Sequence, residues 1–446
     1  MANTAYTNAR EIIAKLYSAG YEAYFVGGFV RNQLMGIEGT DDYDICTSAT
    51  PDEVKQVFAK TFDTGLAHGT VTVLLNGNDF EVTTYRIDGE YTDNRRPSSV
   101  KFTRELHEDL RRRDFTFNAM AMDLDGNVID LFGGCADLQA KVIRAVGNPD
   151  ARFKEDPLRI LRGIRFLAQL GADFTIEPNT LAAMSQQAHL LANISAERIQ
   201  IELVKAVTGP NVDALRVAYE AGITAHFMPE FDVMMTCAQE NPHHAYHVGE
   251  HTLRTMKNIE PDKVLRLTML WHDVAKPAMK TVDKKGIAHF KGHQEAGWEQ
   301  SRHIMNRLKF DNETKDAVSH LIRWHDYDLP ITPKAARKAI NKIGAYHFPN
   351  YLKVRTADIS GQSDYRKSEK LSALETATKL YHEMMAAGVA TSLKDLAVDG
   401  HDLIDIGFMP DAQLGTILNE LLTAVIDKPE LNNREKLLDL AKHKRS

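Results

Sequence analysis

Apolar and polar positions change their period once along the chain, near residue 150. Before that point the apolar residues fall in short runs broken by turns: EAYFVGG, GTVTVLL, FEVTTYRI, SSVKFT and NVIDLFGG. Such runs predict strands. A helix is expected over about residues 5–19, and DLRRRDFTFNAMAMD reads as a helix or turn leading into another strand. From about 150 to 225 the spacing becomes helical in DPLRILRGIRFLAQL, ERIQIELVKAV and VDALRVAYEAG, with Gly or Pro as stops. Helical patterning continues between 243 and 326, where histidines become dense. PITPKAARKAI and VDGHDLIDIGF open further helical stretches. These changes divide the chain into an α+β module with a mixed sheet (1–145), a helical segment (146–225), a histidine-rich helical domain (226–375) and a helical end (376–446). No fixed period suggests a solenoid.

With 446 residues the chain exceeds one ordinary core. Its 43% hydrophobic and 26% charged content is that of a soluble globular protein. No apolar run approaches the ~20 residues that span a bilayer. The first 25 residues lack the apolar core of a signal peptide, and Cys46, Cys135 and Cys237 form no CxxC pair. Reduced thiols and a cytoplasmic setting, away from membranes, are therefore expected. A net charge of −7 speaks against nucleic-acid binding by the whole surface. Arginines nevertheless gather at 95–96, 104, 111–113 and 152–165, which predicts one phosphate-facing side.

The most informative stretch is FVGGFVRNQLMGIEGTDDYDICTSATP. Gly27-Gly28 follow an apolar strand and precede a helix expected to begin near Val30. Such a turn admits phosphate close to backbone amides, and Arg31 reaches the same anion. In a strand, Asp42 and Asp44 would point to one face. Two carboxylates held that close call for a cation between them, and Glu81 in FEVTTY brings a third from a neighbouring strand. Mg²⁺ suits this donor set, and the chemistry it supports is in-line attack of a hydroxyl on a nucleotide α-phosphate. Arg159, Arg162 and Arg165 fall at i, i+3 and i+6, roughly one helix face.

GGFVR, DDYDICTSATP, EVTTYRIDGEYTDNRRPSSVKF, DLRRRDFTFNAMA and RFKEDPLRILRGIRF resemble, in order, the motifs of the class II tRNA nucleotidyltransferase and bacterial poly(A) polymerase family. The match covers about the first 165 residues. Asn32 stands where the family often has Asp, and Asp114 fixes the register of the three arginines before it. The resemblance implies a polymerase-beta-like head, a helical neck, and Mg²⁺ on Asp42 and Asp44. It implies that Gly28 and Arg31 contact the triphosphate, and Arg113 and Asp114 the phosphate and ribose. With no template strand the protein must choose the base; Asp156 and Arg159 offer an acceptor and a fork of donors for the Watson–Crick edge of cytosine or adenine. The loop RIDGEYTDNRRP (86–97) is present in full, which by resemblance favours an enzyme that adds A as well as C.

A second constellation runs EHTLRTM, LTMLWHDVAKP, FKGHQEAG, LIRWHD and KVRTADIS. His272 and Asp273, about 100° apart on a helix, can share one metal site or bridge two ions. His251, His293, His325 and Asp358 complete the ligand set. Such ligands suit Mn²⁺, Ni²⁺, Fe²⁺ or Zn²⁺, or Mg²⁺ with more oxygen ligands, and a bound water of lowered pKa could attack a phosphoester. The order resembles the HD-domain metal phosphohydrolases, which by likeness adds phosphatase or 2′,3′-cyclic phosphodiesterase activity in RNA-end repair and allows a homodimer. Lys276 is read as a phosphate contact, and His243, His244 and His247 as surface or supporting residues. Asp399-Gly400-His401-Asp402 reads as a helix cap.

The expected function is addition of CTP, CTP and ATP to the tRNA 3′ end. A poly(A) polymerase using ATP alone is the alternative within the family. An HD nucleotide phosphohydrolase is the alternative of another class.

Overall fold

The computed structural model describes residues 4–444 apart from 38, 40, 41, 90–98 and 244. Its contacts divide the chain into Met1–Pro229 and Glu230–Ser446.

In the first unit α1 (Thr4–Ser18) leads into β1 (Ala23–Val26), α2 (Gly28–Leu34), β2 (Ile45–Thr47) and α3 (Pro51–Val57). Then come β3 (Thr61–Gly65), β4 (Thr70–Leu75), β5 (Asn78–Thr84), β6 (Arg86–Asp88), β7 (Val100–Phe102) and α4 (Leu106–Arg111). β8 (Met120–Met122), β9 (Val128–Asp130), α5 (Gly134–Ala140) and β10 (Val142–Ile143) follow. One mixed sheet takes the order β3-β4-β5-β2-β1-β8-β9, with β2 parallel to β5 and antiparallel to β1. The β4–β5 hairpin turns on Asn76-Gly77, both at positive φ, the type I′ geometry that matches strand twist. Thr50 and Glu53 form a capping box that starts α3. The antiparallel pair β6–β7 flanks the arginine-bearing loop, whose residues 90–97 lie outside the described residues.

The rest of the unit is mainly helical: α6 (Pro149–Glu155), α7 (Leu158–Leu170), β11 (Thr175–Ile176), α8 (Pro178–Gln187), α9 (Ala196–Val207) and α10 (Ala214–Glu220). Asp156 precedes Pro157, whose ring disfavours helical backbone there, so α6 ends and α7 begins around that carboxylate. α7 packs against α9, and its Phe166 sits on Phe115 and Phe117 from the head.

Two local expectations need correction. α2 starts at Gly28, two residues earlier than Val30, because Gly27 at φ 67° makes the turn. Asp42 and Asp44 precede β2 instead of lying within it. Alternation persists all the same: Tyr43 is buried against Phe25 and Phe29, and the Asp44 carbonyl accepts from Val26 N–H at 3.0 Å.

The second unit is almost wholly helical. α11 (Pro229–Thr236) opens at the boundary and is followed by α12 (Val248–Lys257), α13 (Lys263–Trp271) and α14 (Lys276–Met279). A small ribbon, β12 (Thr281–Val282) with β13 (Ala288–His289), precedes α15 (His293–Arg307), α16 (Asn312–Trp324), α17 (Pro333–Ile343) and α18 (Phe348–Gly361). α19 (Lys367–Ala386), α20 (Gly400–Asp405), α21 (Ala412–Asp427) and α22 (Arg434–His443) complete it. Leu403, Leu421, Val425 and Leu437 are part of an apolar cluster of their own near the C-terminal end. Asp399 caps α20 with Asp402 closing the capping box, as the sequence suggested. Among the described residues no helix is long and apolar enough to cross a membrane.

Candidate active site

A cleft of about 580 Å³ in the first unit gathers ten of the eleven residues expected there: Gly28, Arg31, Asp42, Asp44, Arg113, Asp114, Asp156, Arg159, Arg162 and Arg165. Glu81 stands beside Asp44 without lining the cleft. β5 runs parallel to β2 with Val82 opposite Ile45, so Glu81 falls level with Asp44.

Gly27 must stay small. Its backbone is left-handed, and a Cβ there would come within 3.3 Å of Asp44 Oδ2 and 3.5 Å of Arg113 Nη1. Burial and Asp42 push the Asp44 carboxyl up to about 6; Arg113 opposes this and Glu81 adds to it. A half-buried Asp44 repelled by the exposed carboxylates of Asp42 and Glu81 fits a bound divalent cation.

Opposite the acids lies a network of guanidiniums. Arg31 Nη1 donates to Asn118 Oδ1 at 2.9 Å, Asn118 Nδ2 to Asp114 Oδ1 at 3.1 Å, and Arg162 Nε to Asp114 Oδ2 at 2.6 Å. Burial and the nearby Arg165 and Arg162 lower Arg31 to about 10, while Asp114 pulls the other way. Burial would raise Asp114, but Arg162 and the hydrogen bonds override it and hold the acid at about 2. α2 has only seven residues, so the positive field at this end comes mainly from the arginine side chains. Arg31, Arg162 and Arg165 all lie over the Phe166 ring, at 5.3, 5.6 and 4.3 Å from its centroid.

Asp156 accepts from Leu158 N–H at 3.1 Å on one oxygen and from Arg198 Nη2 at 2.8 Å on the other. Arg159 donates to Glu155 at 2.7 Å and to the carbonyls of Arg152 and Arg112 at 3.1 and 2.9 Å. Arg165 is paired with Glu202 at 2.9 Å. The sequence reading missed this contribution from α9. Arg198, Glu202 and Lys205 recur at i, i+4 and i+7, but that spacing describes many solvated helices equally well. Arg112, Asn118, Phe166 and Gln169 also line the cleft without having been singled out.

In the second unit all six expected metal-ligand residues converge and are buried. His251 comes from α12, His272 and Asp273 from the turn that ends α13, His293 from the first residue of α15, His325 from the end of α16 and Asp358 from α18. The HD pair thus directly follows the last residue of α13, with His272 still in helical backbone geometry. Asp273 is central: one oxygen lies 3.2 Å from His272 Nε2 and 3.7 Å from His251 Nε2, the other 3.5 Å from His293 Nε2 and 3.6 Å from His325 Nε2. Each ring turns its Nδ1 toward a backbone carbonyl: His272 to Met269, His293 to Phe290, His325 to Ile322 and His251 to Gly361, at 2.6–3.3 Å. With the proton on Nδ1, each Nε2 lone pair faces inward. His251 and His272 bring their Nε2 atoms within 3.4 Å, and His293 and His325 within 3.3 Å. Two nitrogens each about 2.0–2.1 Å from one ion at a tetrahedral angle lie about 3.3 Å apart, so both pairs fit metal ligation.

Burial and the adjoining His325 lower His293 to about 4, as suits a neutral ligand. Burial opposes protonation of His272, but Asp273 draws its pKa upward. Lys276 pairs with this acid, its Nζ 2.7 Å from Asp273 and 3.0 Å from Gln239 Oε1. His247 is exposed at the start of α12, His243 meets Lys370, and His244 lies outside the described residues.

Comparison with known proteins gives three family matches. Residues 23–144 match a poly A polymerase head domain, and 173–235 a probable RNA and SrmB-binding site of polymerase A. Residues 285–441 match a putative tRNA nucleotidyltransferase domain 2. The chain is 37% identical over 421 residues to a CCA-adding enzyme of Levilactobacillus brevis, covering 94% of this chain and 93% of that one. It is 35% identical to a CCA-adding enzyme of Latilactobacillus sakei subsp. sakei, with 98% of each covered. Among solved structures it resembles the Bacillus stearothermophilus CCA-adding enzyme in complex with CTP, with a TM-score of 0.73, 29% identity, and 99% and 98% of the two chains covered.

Proposed function

The chain belongs to the CCA-adding enzyme family, and we propose that its first unit adds CTP, CTP and ATP in turn to the 3′ end of tRNA. The observation that carries this reading is the convergence of Asp42 and Asp44 with the arginine face of α7 and with Asp156 in one cleft.

In this reading Asp42 and Asp44 would hold Mg²⁺, with Glu81 adding negative charge beside them. Mg²⁺ when bound supplies positive charge to the reacting phosphate and favours the ionised form of the attacking hydroxyl. Arg31, Arg113 and Arg162 hold the triphosphate, and Asp114 orients Arg162 and meets the ribose. The tRNA 3′-oxygen attacks the α-phosphate, the new O–P bond forms as the bond to the β-phosphate bridge breaks, and pyrophosphate leaves. Asp156 accepts from the amino group of cytosine or adenine, and Arg159 donates to the adjacent ring nitrogen. Uracil and guanine present the reverse pattern and are refused.

The second unit supports a further reading, phosphoester hydrolysis at the HD cluster. His251, His272, Asp358 and one oxygen of Asp273 would hold one ion; His293, His325 and the other oxygen would hold a second. Mn²⁺, Ni²⁺, Fe²⁺, Zn²⁺ or Mg²⁺ is the expected occupant, supplying a coordinated water of lowered pKa. Hydrolysis would clear a blocked RNA 3′ end, which the first unit then extends. A cytoplasmic setting and a homodimer belong to the same proposal, the latter measurable by light scattering.

The decisive test is incorporation of labelled nucleotide into tRNA lacking its CCA. Two C residues from CTP, then one A only with both nucleotides, is the expected result. Long A tracts from ATP alone on many RNAs would make it a poly(A) polymerase, and no incorporation would shift the function to the HD cluster. Failure to cleave 2′,3′-cyclic AMP and p-nitrophenyl phosphate with Ni²⁺, Mn²⁺ or Mg²⁺ would exclude the hydrolytic reading.

A further inference from the structure

α9 returns two charges to the nucleotide cleft in a crossed pattern. Its Arg198 takes the acid at the start of α7, Asp156, and its Glu202 takes the base two turns further along, Arg165. Arg198 and Glu202 are one turn apart on α9, so the two pairs pin both ends of the arginine row.

Asp156 is thereby held at both oxygens, by the Leu158 amide and by Arg198. Two donors on opposite oxygens fix the plane of a carboxylate and leave each oxygen a second lone pair for a ligand. Without Arg198 the carboxylate keeps one short-range backbone bond and can swing about its side-chain torsions. Arg198 itself lines the cleft, and its Nη1 is buried with no hydrogen-bond partner among the described residues. A guanidinium left partly unsatisfied is poorly explained as a purely structural staple, since an orphaned buried donor costs stability.

We infer that Arg198 is a positioning residue for base choice: it fixes the acceptor edge that Asp156 presents to the amino group of the incoming cytosine or adenine. This rests on the reading of Asp156 as a base reader. A fixed acceptor rejects the O4 carbonyl of uracil by repulsion, whereas a mobile carboxylate turns aside and tolerates it. Arg198 therefore acts on the ratio between nucleotides more than on phosphate transfer.

The test is the ratio of kcat/KM for CTP to that for UTP on tRNA lacking its CCA, in the full chain. Arg198→Met should lower the ratio about tenfold, the scale of one misaligned base contact. Arg198→Lys, which keeps a donor to Asp156, should recover most of it. Circular dichroism and thermal melting establish that each variant is folded; should Arg198→Met fail to fold, Arg198→Gln takes its place. Equal loss of activity with CTP and UTP would make Arg198 merely structural and overturn the inference. So would an unchanged ratio in Arg198→Met when Asp156→Ala lowers it. If Asp156→Ala itself keeps full selectivity, the base-reading assignment falls, and this inference with it.

Discussion

Arg162 Nε meets Asp114 Oδ2 at 2.6 Å, a bond that ties the helical neck to the sheet-bearing head across the nucleotide cleft. Asp114 is held near 2 against a usual 3.8, so it contributes stability at any pH above about 4 and loses that contribution as pH falls from 4 toward 2. Asp114→Asn should lower stability at pH 7 by roughly 2 kcal/mol. That is below the usual cost of breaking a buried pair, because Arg162 is about a third exposed. Its acid unfolding should be correspondingly less steep between pH 4 and 2. Chemical denaturation across that range reads both effects. A variant equally stable at pH 7 would show the pair to be energetically idle.

Asp44 carries the opposite sign. Its folded value of about 6 lies above the usual 3.8, so ionising it opposes folding, and the metal-free fold loses stability as pH rises from 4 through 6. A cation on Asp42 and Asp44 relieves that repulsion. The rise in Tm on adding Mg²⁺ should therefore be small at pH 5, grow by pH 7, and vanish in Asp44→Asn. A Mg²⁺ effect independent of pH would remove Asp44 from the metal site.

The two chemistries should separate by mutation. Asp42→Ala and Asp44→Ala should each reduce nucleotide transfer about 10³-fold or more, given the several kcal/mol a metal contributes. Both variants should still hydrolyse phosphoesters. His272→Ala combined with Asp273→Ala should do the reverse. Parallel assays of tRNA extension and of 2′,3′-cyclic AMP cleavage decide it, and loss of both activities in either set would show the sites to be structurally coupled.

Metal content tests the shared position of Asp273 without reference to turnover. Protein reconstituted with Mn²⁺ and desalted should retain two ions per chain at the HD cluster when the head site is disabled by Asp44→Asn. On that background His293→Ala should retain one, and Asp273→Ala fewer than one. Elemental analysis reads the count, and equal retention in His293→Ala and Asp273→Ala would contradict a bridging role.

The sequence carried most of the first site because its chemistry is local. Gly27-Gly28, Asp42 with Asp44, and the arginines three apart on α7 each lie within a few residues of one another in sequence, and the fold brings them to one cleft. What lay hidden depends on pairs remote in sequence. Nothing local marks Arg198 as the partner of Asp156, 42 positions away, or Glu202 as the partner of Arg165, 37 positions away. The strand assignment at Asp42 and Asp44 was too long because alternation extends beyond the laddered residues: Tyr43 packs inward before β2 begins. In the HD cluster the residues were identifiable by type and order, whereas the division of Asp273 between two histidine pairs is a property of helix ends converging in space.

Nearly every guanidinium around the nucleotide cleft already has a resident acid: Arg113 has Asp109, Arg159 has Glu155, Arg162 has Asp114, Arg165 has Glu202 and Arg198 has Asp156. The cleft is thus no open cup of positive charge awaiting an anion. In the proposed reaction a triphosphate would enter by partner exchange, taking donors that carboxylates held before it, and departing pyrophosphate would hand them back. On that proposal the resident acids would compete with the product for the same guanidiniums, so that pyrophosphate release restores the pairs that stood before the nucleotide arrived.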